Sequence, residues 1–303
     1  MQDDQKSAPY YGMCDWLGPD LRRVLAPNPS PMTHHGTNTY LLGRGQVALI
    51  DPGPDDDAHL AAVLNALGPD ERISHILVTH AHRDHSGLAR KMAAATDAPV
   101  LAYGTAQAGR SAAMQALGER DPSLEGEGVD TGFAPDQCLP DGATLTVGSA
   151  QISALHTPGH FGNHLCFRWG DVIFSGDHVM GWSSSVISPP DGDMAAYMMA
   201  LQRLADHKPA KLFAGHGAVI DDPAARIGAL ITHRMARKAA VLAALGPGPA
   251  TARDLAKIIY HDTPPALHPA AARNVFAHLI ELAQNGQAEP TADIAFTTAF
   301  RTR

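Results

Sequence analysis

Apolar and β-branched residues first gather in two short runs, Thr39-Tyr40-Leu41-Leu42 and Gln46-Val47-Ala48-Leu49-Ile50, separated by Gly43-Arg44-Gly45. Two β-rich runs joined by a glycine-rich turn predict a hairpin. The second run stops at Asp51-Pro52-Gly53-Pro54, which cannot continue a strand. Asp55, Asp56 and Asp57 then precede Leu60, Leu64 and Leu67, spaced for one helical face and closed by Gly68. The acidic run caps that helix and complements its dipole. A short apolar run over 73–79 predicts a buried strand. It empties into Thr79-His80-Ala81-His82-Arg83-Asp84-His85, and Ser86-Gly87 opens another helix. Val100-Leu101-Ala102 reads as a strand and the Ala-rich stretch 105–117 as a helix. Residues 118–142, rich in Gly, Asp and Glu, read as a long loop of the kind that is often functional.

The alternation then repeats. Strands are expected over 144–147 and 151–155, and a hairpin over 165–169 and 171–175 around Gly170-Asp171. A helix over 193–206, in which Met194, Met198 and Met199 would fill core, precedes a strand over 211–214. A long helix begins at Pro223, where proline suits the first turn, and runs to about Leu245. Gly246-Pro247-Gly248-Pro249 is the best linker, followed by helices over 251–260 and 269–284 and a β-like tail over 294–300. Ala26-Pro27-Asn28-Pro29-Ser30-Pro31 reads as an irregular surface segment. The pattern predicts an α/β unit over 1–245 and an appendage over 246–303.

Composition narrows the function. The 303 residues hold 23 Lys+Arg against 31 Asp+Glu, a net charge of −8, and are 45% apolar. The length suits about two domains. An acidic chain disfavours a broad nucleic-acid or membrane footprint, which needs clustered Lys and Arg. The start, Met1-Gln2-Asp3-Asp4, lacks the apolar run of a secretory signal, and no stretch approaches the ~20 apolar residues of a membrane span. Cys14, Cys138 and Cys166 form neither a disulfide framework nor a CxxC knuckle, so three buried thiols in a reducing cytoplasm are expected. The 17 histidines equal all aromatic residues together (8 Phe, 6 Tyr, 3 Trp), and neutral imidazole is the commonest metal ligand.

His80, His82, Asp84 and His85 put four potential ligands within six residues, directly after an apolar strand. Spacing i, i+2 on extended backbone points two imidazoles the same way. The following turn swings Asp84 and His85 elsewhere, so one ion can take His80 and His82 and a second Asp84 and His85. A catalytic metal needs about three protein ligands and an open position. Three further candidates sit where strands end: His160 after 151–155, Asp177 after 171–175 and His216 after 211–214. Loops leaving strand ends on one edge of a layered fold converge, and sites form there.

Thr79-His80-x-His82-x-Asp84-His85 with His160, Asp177 and His216 resembles the signature of the metallo-β-lactamase superfamily, over roughly residues 30–245. The resemblance implies a four-layer αββα sandwich with two divalent metal ions at one edge. His80, His82 and His160 would bind the first; Asp84, His85 and His216 would bind the second; Asp177 would bridge both. Asp51 matches the family's Asp-x-Gly position and would support the ligands from behind. Asp84, His85 and Asp177 would carry the catalytic work. Two ions roughly 3.5–4 Å apart make hydroxide available from a shared water at neutral pH. That hydroxide would attack a carbonyl or phosphoryl centre, and Gly159, Gly176 and Gly217 would let backbone approach the ions. Zinc suits such ligands; iron and manganese do as well.

Asp177 disfavours antibiotic hydrolysis, because true β-lactamases of this fold lack the bridging carboxylate. Glyoxalase II proteins share the ligand set, but Gly217-Ala218-Val219-Ile220 stands where their glutathione-binding segment is Tyr- and Lys-rich. The short connection over 178–192 and the long helix with Thr232-His233-Arg234 look more like the beta-lactamase-like protein 2 group, whose members carry a winged-helix appendage. Its eukaryotic members are single-strand endoribonucleases. Residues 246–303 hold Arg253, Lys257, Arg273, Arg301 and Arg303 against Asp254, Asp262, Glu281, Glu289 and Asp293, so the appendage is neutral. The would-be recognition helix offers only Arg273 and His278 against Glu281. A nucleic-acid reader needs more contacts, so the appendage is expected to pack or dimerise through Val275, Leu279 and Leu282. His178, His233 and Arg234 are candidate substrate contacts, Trp182 and Ser183-Ser184-Ser185 candidate pocket wall, and His34-His35 a candidate rim. His156 reads as structural. The expected function is cytoplasmic hydrolysis of a small ester, thioester or lactone. The alternatives are RNA phosphodiester cleavage, hydroxyacylglutathione hydrolysis and, less favoured, a mononuclear iron oxygenase.

Overall fold

The computed structural model describes residues 10–124, 126, 128–246 and 248–303, so the acidic start of the chain and Pro247 of the expected linker lie outside the described residues. One sheet runs in sequence order: β1 (Cys14–Gly18), β2 (Leu21–Leu25), β3 (Asn38–Leu42), β4 (Gln46–Ile50), β5 (Arg72–Leu77), β6 (Val100–Ala102) and β7 (Gln137–Cys138). Its first four strands are antiparallel and the rest parallel. The second sheet is ordered β12 (Lys211–Ala214), β11 (Val172–Gly176), β10 (Leu165–Trp169), β9 (Ala150–His156), β8 (Thr144–Val147), with β11 and β12 parallel.

Strand periodicity builds the layers. Along β4, Val47 and Leu49 join a core with Val63 of α1 (Asp57–Asn65) and Met92 of α3 (Ala89–Thr96). Ala48 and Ile50 point the other way, into a core shared with Phe167 and Phe174 of the second sheet. That sheet's outer face, Cys166, Ile173 and Leu212, packs on Leu201 and Leu204 of α5 (Met194–Asp206) and on Ile227 and Leu230 of α6 (Pro223–Ala244). The order is helix, sheet, sheet, helix. Each fully buried Phe or Leu contributes about 1.5–3 kcal/mol.

The C-terminal unit has α7 (Ala252–Ile259), α8 (His268–Gln284) and a small sheet ordered β13 (Ala250–Thr251), β15 (Ala299–Thr302), β14 (Ala288–Pro290). Leu255, Val275, Leu279 and Leu282 form its core together with Val241 and Leu245 from the end of α6 and with Met114 and Leu117 of α4 (Ala112–Arg120). Among the described residues no helix is long and apolar enough to cross a membrane.

Several expectations shift. The helix expected over 105–117 starts at Ala112, capped by Ser111. Gly109 (φ +75) breaks it, and a Cβ there would fall 2.1 Å from the Gly162 carbonyl oxygen. The tail pairs only from Ala299, because Thr298 turns the chain back to the Asp293 carbonyl at 2.7 Å. The strands β1 and β2 were illegible because their polar residues are placed by tertiary contacts: Arg22 is buried against Glu71. Of the cysteines only Cys166 is buried; Cys138 is exposed. Met194 is core, but Met199 faces outward from α5.

Candidate metal centre

The parallel arrangement of β4, β5 and β6, and of β11 and β12, sends their C-terminal ends to loops that meet. The two sheets are pinned at this edge: the Asn38 amide group donates to the carbonyls of Ala214 (3.0 Å) and Gly217 (2.9 Å), and the Tyr40 hydroxyl to Ala214 (2.7 Å). Beyond β5 lies the histidine-rich turn, with α2 (Arg83–Ser86) inside it. Beyond β9, β11 and β12 follow His160, Asp177 and His216.

All seven converge. His82 Nδ1 lies 2.8 Å from His80 Nε2 and 3.2 Å from His160 Nε2. His216 Nε2 lies 3.3 Å from His85 Nε2 and 3.2 Å from Asp84 Oδ2. Asp177 reaches both groups, with Oδ1 3.4 Å from His85 Nε2 and Oδ2 3.3 Å from His216 Nε2 and 3.9 Å from His160 Nε2. Three ligand triplets, each within 4.8 Å, could hold an ion: His80-His82-His160, His80-His85-Asp177 and Asp84-His85-His216.

Four of the five imidazoles are aimed by their other nitrogen. His85 Nδ1 donates to Asp51 Oδ2 (2.9 Å), His160 Nδ1 to the Val186 carbonyl (2.8 Å) and His216 Nδ1 to the Gly36 carbonyl (3.0 Å). His80 Nδ1 meets the Thr79 hydroxyl at 3.0 Å. Such partners fix the tautomer that leaves the inward nitrogen as an acceptor. Asp51 also accepts from the Thr79 amide (2.7 Å) and hydroxyl (2.8 Å), so one carboxylate ties β4 to the start of the motif.

The electrostatics fit a cation. Burial holds His80 and His160 below the ordinary imidazole range and takes His82 to about 3, so these three are neutral, the ligating form. Burial would also lower His85 and His216, but carboxylates overrule it. Asp84, Asp177 and Asp51 raise His85 well above its usual value, and Asp177 with Asp84 raises His216 to about 9. Inward nitrogen lone pairs about 3 Å apart repel unless protons or an ion lie between them. Asp177 Oδ1 is buried without a hydrogen-bond partner. Both features are met by a metal ion, whose ligands sit ~2.0–2.2 Å from it. Gly215 was not singled out from the sequence: a Cβ there would lie 2.5 Å from Asp177 Oδ1 and 2.6 Å from His85 Cε1.

A cavity of about 500 Å³ opens over the cluster, and His82, Asp84, His160, Asp177 and His216 reach it. Trp182, Ser183 and Ser184 line it as expected; at the expected rim, Met32 and Thr33 line it and His34 and His35 do not. Ser185 is instead buried and bonded to the Asp177 carbonyl. The three expected substrate contacts do not line it. His178 is fully buried against Tyr197, at 4.6 Å. Arg234 shares the inward face of α6 with Ile227, Leu230 and Val241, and donates to the Ser185 carbonyl and to Asn274. His233, the next residue round the helix, is half-buried away from the cavity. His156 is structural, stacked on Tyr103 at 3.8 Å and bonded to the Gly162 carbonyl at 2.9 Å. Pro269, Ala270 and Arg273 of α8 do line it, so the C-terminal unit packs onto the site rather than standing apart.

A sandwich of two sheets between helices, with a His/Asp cluster at one edge, defines the metallo-β-lactamase class of fold. The family model "Metallo-beta-lactamase superfamily" matches residues 32–216, and "Beta-lactamase associated winged helix domain" matches 251–296. The chain belongs to the metallo-β-lactamase superfamily and is a hydrolase. It is 34% identical over 283 residues to a beta-lactamase-like protein 2 homolog of Drosophila melanogaster, covering 88% of each chain. It is 30% identical over 247 residues to an atrochrysone carboxyl ACP thioesterase of Aspergillus fumigatus, covering 79% of this chain and 69% of that one. The crystal structure of a metallo-beta-lactamase family protein from Thermus thermophilus matches with a TM-score of 0.75 at 26% identity, over 95% of this chain and 100% of that one.

Proposed function

We propose that the chain binds two divalent metal ions, zinc first with iron or manganese as alternatives, and hydrolyses a small thioester, ester or lactone. His80, His82 and His160 would hold one ion, Asp84, His85 and His216 the other, and Asp177 both. The observation that carries this is the Asp177 carboxylate, whose two oxygens reach the two histidine groups. When bound, the ions supply Lewis acidity and an activated water. Asp84, a quarter exposed and lining the cavity, orients the attacking water. His85 and His216 flank that carboxylate at 3.4 and 3.2 Å, and Asp177 contacts both histidines. The cavity is of small-molecule size, and the thioesterase among the relatives favours a thioester. We assign the catalytic unit to residues 1–245 and the appendage to 246–303. The free cysteines, one of them exposed, support a reducing, cytoplasmic setting.

The test is elemental analysis of purified protein, then a panel of esters, thioesters, lactones, hydroxyacylglutathione and single-stranded RNA. About two ions per chain and metal-dependent thioester or ester turnover are expected. Protein that takes up no transition metal, or an Asp177→Ala variant hydrolysing at the wild-type rate, would refute the proposal.

A further inference from the structure

The cavity wall carries a cation that the metal centre does not use. Arg273 reaches the cavity from the first turns of α8, beside Pro269 and Ala270. Its Nη1 is buried and has no hydrogen-bond partner among the described residues. No described carboxylate lies within ion-pair distance of it. The acid nearest in the cavity wall, Asp191, is committed elsewhere: Oδ1 accepts from Arg110 Nη2 at 2.6 Å and Oδ2 from the Gly126 amide at 2.7 Å. Arg273 is held from behind by Phe296, its Cζ 4.6 Å from the ring centre, and Arg253 stacks on the same ring at 5.1 Å. Of these two guanidiniums only that of Arg273 lines the cavity, and the acids acting on it are Asp191 and Asp121. Other lining residues, Met32, Met180 and Trp182, are apolar.

We propose that Arg273 is a specificity determinant that receives an oxyanion, a carboxylate or phosphate, carried by the substrate away from the bond that is cut. A guanidinium fork matches such groups with two parallel hydrogen bonds, and Arg273 lines the cavity with no described carboxylate paired to it. Met32, Met180 and Trp182 receive the apolar part of the same molecule. The winged-helix unit thereby takes part in substrate choice. This rests on the hydrolase activity proposed above.

The test uses the metal-loaded full chain and three butyryl thioesters with a common acyl group: of mercaptoethanol, mercaptopropionate and mercaptoethyl phosphate. Wild type prefers an anionic thioester, and the ratio of its kcat/KM to that of the neutral one falls about tenfold in Arg273→Gln, with partial recovery in Arg273→Lys. A fall for the phosphate alone, the carboxylate alone or both identifies the anion and upholds the subsite. A ratio unmoved by Arg273→Gln, or no preference in wild type, overturns it. If wild type cleaves none of the three, the thioester reaction fails. The subsite is then judged by calorimetric titration of inorganic phosphate into the full chain: weakening by about fivefold or more in Arg273→Gln upholds it, and equal affinity overturns it.

Discussion

Asn274 of α8 accepts the backbone N–H of Ile187 at 3.0 Å through its side-chain oxygen. Ile187 follows Val186, whose carbonyl aims His160. Arg234 donates to the same Asn274 oxygen at 3.1 Å and to the Ser185 carbonyl, and the Ser185 hydroxyl donates to the Asp177 carbonyl. The loop between β11 and α5, which carries one ligand and orients another, is thus clamped from behind by α6 and α8.

Asn274→Ala leaves the Ile187 amide and one Arg234 donor unsatisfied, at a cost of about 1–3 kcal/mol. It also frees Val186, so affinity at the site built on His160 should fall about tenfold. Competition with a chromophoric chelator measures this. A lower melting temperature with unchanged metal affinity would restrict Asn274 to stability.

Asp51 touches no substrate but receives three hydrogen bonds, from the Thr79 amide and hydroxyl and from His85. Asp51→Ala should weaken metal binding about 10–100-fold, with Asp51→Asn in between. Asn keeps one acceptor oxygen and tolerates the positive φ of 52° at this position. Elemental analysis after dialysis against graded chelator distinguishes the two.

Metal uptake should release protons. In the metal-free protein burial opposes but Asp177 and Asp84 raise His216 from 6.5 to about 9. At neutral pH it is therefore protonated and must lose that proton to ligate. Affinity rises with pH up to about 9 and then levels for this group. The stability of the metal-free protein moves the other way. A raised folded pKa stabilises fully below 6.5, and the contribution is lost as pH climbs through about 9. Calorimetry in buffers of different ionisation enthalpy counts the protons, and thermal melts of metal-free protein give the second trend.

Gly215→Ala would set a methyl group 2.5 Å from Asp177 Oδ1 and 2.6 Å from His85 Cε1, so both must move. A displacement of ~1 Å in such a site costs on the order of 10²-fold in rate. Turnover should fall by that order while the far-ultraviolet circular dichroism is retained. Wild-type turnover would show that the centre tolerates the shift.

Much of the centre was legible in the chain. His80, His82, Asp84 and His85 are set by local spacing, and His160, Asp177 and His216 each follow a strand-like run, because strands deliver their C-terminal residues to one edge. The partners that aim them were less legible. Val186 and Gly36 contribute backbone carbonyls, which every residue possesses, so no side chain marks them.

Arg234 and Arg273 show the remaining division. As sequence, both are cations on predicted helices, and Arg234 was the better candidate for the pocket. The phase of α6 turns Arg234 inward with Ile227, Leu230 and Val241, and the packing of α8 brings Arg273 to the cavity instead. Local pattern carried most of the strand and helix alternation and the His and Asp candidates at strand ends, since apolar periodicity and spacing act within a few residues, whereas the four-layer arrangement followed from the family resemblance. Which helix faces reach the cavity is set by long-range packing, because it depends on how two units with a shared apolar core settle against each other.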